Sequence, residues 1–309
     1  DALAARKVVL PYVVGIAISA DFPQYTLLMW FGKRSKRAYF DYASATPLCA
    51  EAAQAMHEAE RFVGNPGAIH AEGVAAMHSL NDSRETIAKH LGVKAREIVF
   101  TSGLTESNNL AILGHFRGLP VAQRQGAHVV TLSTEHKAVL APVARLERDG
   151  VRASVLQPGP TGRIELARFE AALRPETRLA SLLHVNNETG AIQPVEAIAD
   201  GLSDPDVYFH VDAAQSFARL LPPLRHARID LISISAHKIG GPQGVGALIL
   251  KSGGISIQDR LVRGGGQERG ARAGTENVAG ILGFAAAAKV AATKLAEDAK
   301  RFLTLVESL

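Results

Sequence analysis

Hydrophobic positions along the chain alternate between two textures from residue 38 onward. Short runs of four to six mostly apolar residues end at turn-forming or polar residues, and longer Ala-, Leu- and Glu-rich runs separate them. The first texture predicts buried strands, the second helices. Strands are expected at 97–101, 128–132 (HVVTL), 151–156, 179–184, 207–211, 231–235 and 245–250, with a short strand-like start at 38–41. Helices are expected at 48–62, 70–91, after the turn 102–106, and at 137–149, 164–173, 195–201 and 280–309. Pro47 just inside a helix start and Gly92 just past a helix end fit their places, and Gly64-Asn65-Pro66-Gly67 reads as a turn. This alternation predicts an α/β fold around a mostly parallel or mixed sheet covered on both faces.

The amino-terminal stretch has a different texture. Residues 8–20 (VVLPYVVGIAISA) are apolar but too short to span a bilayer, and Arg6 and Lys7 before them give a weak signal-peptide pattern. The run Lys33-Arg34-Ser35-Lys36-Arg37 reads as a solvated linker, and residues 1–37 as an atypical extension.

Composition narrows the function classes. The chain has 309 residues, 47% of them hydrophobic, enough for a large core, and a net charge of only +4, too thin for a nucleic-acid footprint. A single cysteine excludes an internal disulfide and any multi-cysteine metal site, and the eleven histidines form no HExxH pair or Cys/His cluster. The expectation is a soluble protein of a reducing compartment, the cytoplasm, with neither a membrane nor a nucleic-acid partner and with no metal.

Candidate chemistry gathers at the carboxyl ends of predicted strands, where α/β proteins place their ligands. Lys238 follows strand 231–235, beside His237 and before a Gly/Pro-rich turn. It suits a Schiff-base amine, or is a surface lysine at a strand end. Asp212, after strand 207–211, suits a partner for a protonated ring nitrogen, or caps a turn. Ser102-Gly103-Leu104-Thr105 suits a phosphate, or N-caps the next helix. His136 could stack on a planar ring or move protons, or be structural. Asn186 and Asn187 could bond a ring substituent, or shape a turn. No GxxxxGK stands in the chain, and the glycines near Lys238 lack the GxGxxG spacing of a dinucleotide site. Thr, His, Asn, Asp and Lys at five strand ends, in chain order, make the inventory for a phosphorylated aldehyde cofactor.

Eight stretches then make a resemblance specific: YFDYASATP (39–47), GNPGAIHAEG (64–73), FTSGLTESNNLAILG (100–114), STEHKAVL (133–140), HVNNETGAIQP (184–194), HVDAAQS (210–216), SAHKIGGPQGVGAL (235–248) and GGGQERGARAGTEN (264–277). In this order they resemble the cysteine desulfurases of the class V aminotransferase family, fold type I enzymes dependent on pyridoxal 5'-phosphate (PLP). The resemblance implies a large domain, 38–280, around a mostly parallel seven-stranded sheet, and an incomplete small domain beginning with 281–309.

It also implies roles. Lys238 would carry the cofactor covalently, Asp212 would pair with the pyridine nitrogen, and Gln215 would bond the ring hydroxyl. His136 would stack on the ring and assist proton transfer. Leu104 and Thr105, with Ser235 and His237, would hold the phosphate, and Asn187 would sit near the ring hydroxyl and the substrate. Thr275 would reach the phosphate of a neighbouring subunit in a homodimer. The implied reaction converts L-cysteine to L-alanine and passes sulfur to a protein thiol as a persulfide, for an acceptor such as an iron–sulfur scaffold. In the family that thiol and a substrate-binding arginine follow the last helix here, so the chain reads as one that ends before them. Cys49 reads as a small packing residue rather than a substitute persulfide carrier. A selenocysteine lyase or related PLP-dependent lyase, or a non-enzymatic scaffold of the same fold, are the other readings.

Overall fold

The computed structural model describes residues 38–220, 224–251 and 259–307. The readings for 1–37 lie outside the described residues. The chain divides at Phe40, and the described residues from Asp41 onward form one compact unit.

This unit is built on one seven-stranded sheet, β1 (Ile98–Thr101), β2 (His128–Leu132), β3 (Arg152–Leu156), β4 (Thr177–Leu183), β5 (Tyr208–Asp212), β6 (Leu231–Ser235) and β7 (Gly246–Leu250). Their order across the sheet is β1-β7-β6-β5-β4-β2-β3. β3, β2, β4, β5 and β6 pair in parallel, while β7 runs antiparallel to both β6 and β1. β1 therefore points the same way as the parallel set. All the strands that precede a candidate site residue open at one edge of the sheet.

The strands read as unbroken apolar runs because both faces are covered. Ile98 and Phe100 of β1, Val130 and Leu132 of β2, and Ile232 and Ile234 of β6 enter one buried cluster. Their neighbours Val99, Val129 and Leu231 enter another on the opposite face, as the two-residue period of a strand requires.

The helices include α1 (Ala50–Ala59), α2 (Ala71–Leu91), α3 (Leu104–Asn109), α4 (Lys137–Arg148), α5 (Leu166–Glu170), α6 (Val195–Gly201) and α7 (Val278–Glu307). α2 ends at Gly92, whose φ of 70° is the left-handed conformation such a cap requires. α3 continues through a wide π turn at Leu110–Gly114 into His115–Gly118. The stretch Val278–Phe302 is long and apolar enough to cross a membrane. In this fold α7 packs along α1 and α2, with Phe284, Ala287 and Ala288 buried.

Three expectations need correction. Residues 38–41 form no strand; a turn at 42–44 follows them. Helix 48–62 shortens to α1, because Glu60 caps it with its N–H on the His57 carbonyl. Helix 164–173 shortens to α5, since Glu165 is extended (φ −81°, ψ 135°) and the N–H groups of Ala172 and Leu173 turn to the carbonyls three residues back, at Phe169 and Glu170.

Candidate active site

A cleft of about 800 Å³ lies at the carboxyl edge of the sheet. Leu104, Thr105, His136, Asn187, Asp212, Gln215, His237 and Lys238 all line it. The fold thus joins residues spread over more than a hundred positions, each carried by the turn that leaves a strand.

Lys238 follows β6 in a short helical turn, Ala236–Lys238. Its Nζ donates to the carbonyls of Ala43 and Ser44, each at 2.7 Å. Burial, and then the Arg219 charge, push the ammonium below its ordinary value, against the pull of Asp212 and Asp41. That shift favours the unprotonated amine a nucleophilic lysine needs. The Ala43–Ser44 segment is pinned beside it. Thr46 donates through both its N–H and its hydroxyl to the His237 carbonyl at 2.9 and 2.7 Å.

Asp212 ends β5 and is buried. Oδ1 accepts the Ala214 N–H at 3.0 Å, so the turn-capping reading holds, and Oδ2 accepts from Asn108 Nδ2 at 2.7 Å. Burial nevertheless raises its pKa above the ordinary carboxylate value, partly offset by these bonds and by the charges of His136 and Lys238. A buried carboxylate so placed gains most from a cationic N–H partner.

His136 caps α4, its Nδ1 accepting the Ala138 N–H at 3.0 Å. A neutral ring so engaged carries its proton on Nε2. Gln215 donates Nε2 to the Ala43 carbonyl at 2.7 Å and accepts at Oε1 from Arg219 at 2.5 Å. Arg219 also donates to the carbonyls of Tyr42 and Lys238. Asn186 shapes its turn by accepting the N–H groups of Glu188 and Thr189 at Oδ1, while Asn187 lines the cleft.

The Ser102–Thr105 turn leads from β1 into α3 and lines the cleft. Gly103 has φ 147°, and no side-chain cap closes the start of α3, so the N-capping reading of this turn does not hold. A Cβ on Gly246 of β7 would come within 2.8 Å of the Gly103 Cα, so the turn lies directly on that glycine. Ser235 and His237 stand nearby, joined Oγ to Nδ1 at 2.8 Å, but Ser235 itself is buried behind the lining. Thr275 is exposed and does not line this cleft. Cys49 is half-buried against the core, its N–H on the Gly240 carbonyl at 2.8 Å, and does not line it either.

These donors fit PLP: an amine, a buried carboxylate, an imidazole, and a turn whose Gly103 has no Cβ beside hydroxyl and imidazole groups. Sequence reasoning missed Asn108, Arg219, Glu106 and the Ala43 and Ser44 carbonyls. Asn108 stands three positions after Thr105, on the same face of a helix, the one signal that could have found it.

The chain is similar to known proteins in both sequence and fold. The aminotransferase class-V family model matches residues 38–309. Cysteine desulfurase IscS of Anaeromyxobacter sp. (strain Fw109-5) is 43% identical over 276 residues, covering 88% of this chain and 67% of that protein. Cysteine desulfurase IscS of Shewanella amazonensis is 41% identical over 277 residues, with the same coverage of 88% and 67%. Among solved structures, a NifS-like protein aligns with a TM-score of 0.83 at 36% identity, over 88% of this chain and 74% of that one. SspA in complex with cysteine aligns with a TM-score of 0.76 at 41% identity, over 81% and 72%.

Proposed function

The chain belongs to the class-V aminotransferase family, and from that premise we propose that it is a PLP-dependent cysteine desulfurase acting on L-cysteine. The observation that supports this most directly is the convergence of Lys238, Asp212 and His136 on one cleft. PLP, when bound, supplies an electron-withdrawing ring that stabilises negative charge at the substrate's α-carbon.

The protein's residues do the rest. The Lys238 amine would hold the cofactor and, once released, would be free to move a proton at Nζ. Asp212, clamped by Asn108 and Ala214, holds the ring nitrogen in its protonated form. Gln215, oriented by Arg219, bonds the ring hydroxyl. His136 stacks on the ring and moves a proton at Nε2. Leu104, Thr105 and His237 would hold the phosphate, with buried Ser235 bracing His237 through its bond to Nδ1, and Asn187 would contact the ring hydroxyl and substrate. In the overall reaction the carbon–sulfur bond of L-cysteine breaks, the sulfur joins a thiol as a persulfide, and a proton completes L-alanine. We do not place the accepting thiol at Cys49, which faces the core rather than the cleft.

The same reading makes 38–280 the cofactor-binding domain and 281–309 the start of a second. It takes the working unit to be a cytoplasmic homodimer, with Thr275 serving the neighbour's phosphate and an acceptor such as an iron–sulfur scaffold receiving the sulfur.

The test is a visible absorption spectrum of the chain with PLP, before and after L-cysteine, with K238A alongside. A band that needs Lys238 and shifts with L-cysteine is expected. A spectrum identical in K238A, or one indifferent to L-cysteine, would overturn the reading.

A further inference from the structure

Resting on the PLP reading above, we propose that Arg272 is a positioning residue for the phosphate turn: it clasps Glu106 so that this carboxylate does not face the cofactor's phosphate uncompensated. Glu106 immediately follows Thr105 and lines the cleft. Its Oε2 accepts the Ser102 N–H at 2.7 Å, and its Oε1 accepts from Arg272 Nε at 2.9 Å. The first N–H of the turn is therefore spent on a carboxylate. By their position the N–H groups of Leu104 and Thr105 have no acceptor within the helix, and they remain for an anion. An anion seated there lies beside a negative side chain, and like charges at such range repel strongly away from bulk water.

Protonation does not relieve this repulsion. Burial would raise the Glu106 pKa, but the bonds from Arg272 and Ser102, with the Arg272 charge, outweigh it and hold the group below its ordinary value. Glu106 is thus ionised at neutral pH and needs a cation.

The structure delivers that cation from far away in the chain, and holds it firmly. Arg272 sits just beyond the short helical turn Gln267–Gly270. Glu268 of that turn is buried, bonded to Arg84 at 2.7 and 2.8 Å and to the Phe100 N–H at 2.9 Å. Arg269 donates to the Ile98 carbonyl at 2.5 Å. Glu268 and Arg269 adopt φ values of 47° and 55°, which non-glycine residues hold only when their surroundings over-determine them. The turn is thus locked onto β1, the strand that feeds the phosphate turn. The clasp itself is largely shielded, with side-chain exposures of 13% for Glu106 and 24% for Arg272.

The test measures equilibrium binding of PLP, and of pyridoxal, which lacks the phosphate, to the full chain and to R272A, E106Q and E106Q/R272A. R272A is expected to bind PLP about 10- to 100-fold more weakly while keeping its affinity for pyridoxal. E106Q/R272A is expected to recover most of the loss, because glutamine still accepts the Ser102 N–H but carries no charge. The double variant lacks the clasp too, so its recovery cannot come from restored packing. Unchanged PLP affinity in R272A, an equal loss for pyridoxal, or no recovery in E106Q/R272A would each overturn the proposal. An unaltered chain that binds neither ligand would overturn the PLP reading and this proposal with it; normal binding by that chain confines any failure to the clasp.

Discussion

Asn108 Nδ2 donates to Asp212 Oδ2 at 2.7 Å, across 104 positions of sequence. With the Ala214 N–H on the other oxygen, this bond sets the direction in which a buried carboxylate faces the cleft. N108L removes the donor while keeping the branched shape of the side chain. It is expected to cost about 1–3 kcal/mol of stability, the usual penalty for stranding a buried polar partner, and to weaken PLP binding. Urea denaturation and PLP titration check both; unchanged cofactor affinity would show that Asn108 does not orient Asp212.

Gly246 faces the phosphate turn at close quarters. An added methyl would meet the Ile234 carbonyl oxygen at 2.7 Å and the Gly103 backbone at 2.8 Å. Neither contact is the end of a flexible side chain, so G246A must shift the turn or β7. Overpacking of this kind costs about 1–3 kcal/mol, and phosphate binding should suffer with it. Thermal unfolding and the ratio of PLP to pyridoxal affinity are the measurements.

Arg84 and Glu268 form a buried pair with both guanidinium branches engaged. Arg84 also stacks over Phe100, 4.6 Å from its centroid. R84M strands the Glu268 carboxylate in the core. Breaking such a pair from one side costs about 3–5 kcal/mol, and denaturation should show a loss of that order, with the double variant R84M/E268L less damaged than R84M.

His210 bridges Ser181 and Ser233 within the sheet at 2.8 and 2.9 Å. Burial lowers its pKa from 6.5 to about 3, so the folded state takes up its proton far less readily than the unfolded chain. Stability from this group is therefore intact above about pH 6.5 and declines as pH falls toward 3. At pH 5 it amounts to about 2 kcal/mol. Glu135, Asp212 and Asp230, whose pKa values burial raises, act in the opposite direction. Comparison with H210N isolates the histidine: between pH 7 and pH 5, measured in urea, H210N should lose about 2 kcal/mol less stability than the unaltered chain.

Several elements were legible because their cause is local. HVVTL at 128–132, VEAIADG at 195–201 and LISIS at 231–235 fold where their patterns predict. A run buried on both faces, or a helix with one apolar stripe, states its own period. The 38–41 stretch misled for the converse reason: strand-like composition does not by itself make a strand, and these residues lead into a turn. Residues 164–173 misled at both ends: Glu165 is extended, and the chain tightens to three-residue turns at Ala172 and Leu173.

The site divides in the same way. A polar residue directly after an apolar strand announces itself, so Thr105, His136, Asn187, Asp212 and Lys238 could be read from position and residue type. That they share one cleft follows from the parallel pairing of β2, β4, β5 and β6 and from the reversal of β7, which leaves β1 aligned with them. Chain order alone does not carry that information.

Most strands and helices, the α/β class and the inventory of reactive groups are legible along the chain, because these depend on neighbours a few residues apart. The strand order, the shared cleft, and the partners that tune it arise only on folding: Asn108 on Asp212, Arg219 on Gln215, Arg272 on Glu106. A hydrogen bond or ion pair depends on distances of about 3 Å in space, and two of these three join residues more than a hundred positions apart, which no periodicity along the chain encodes.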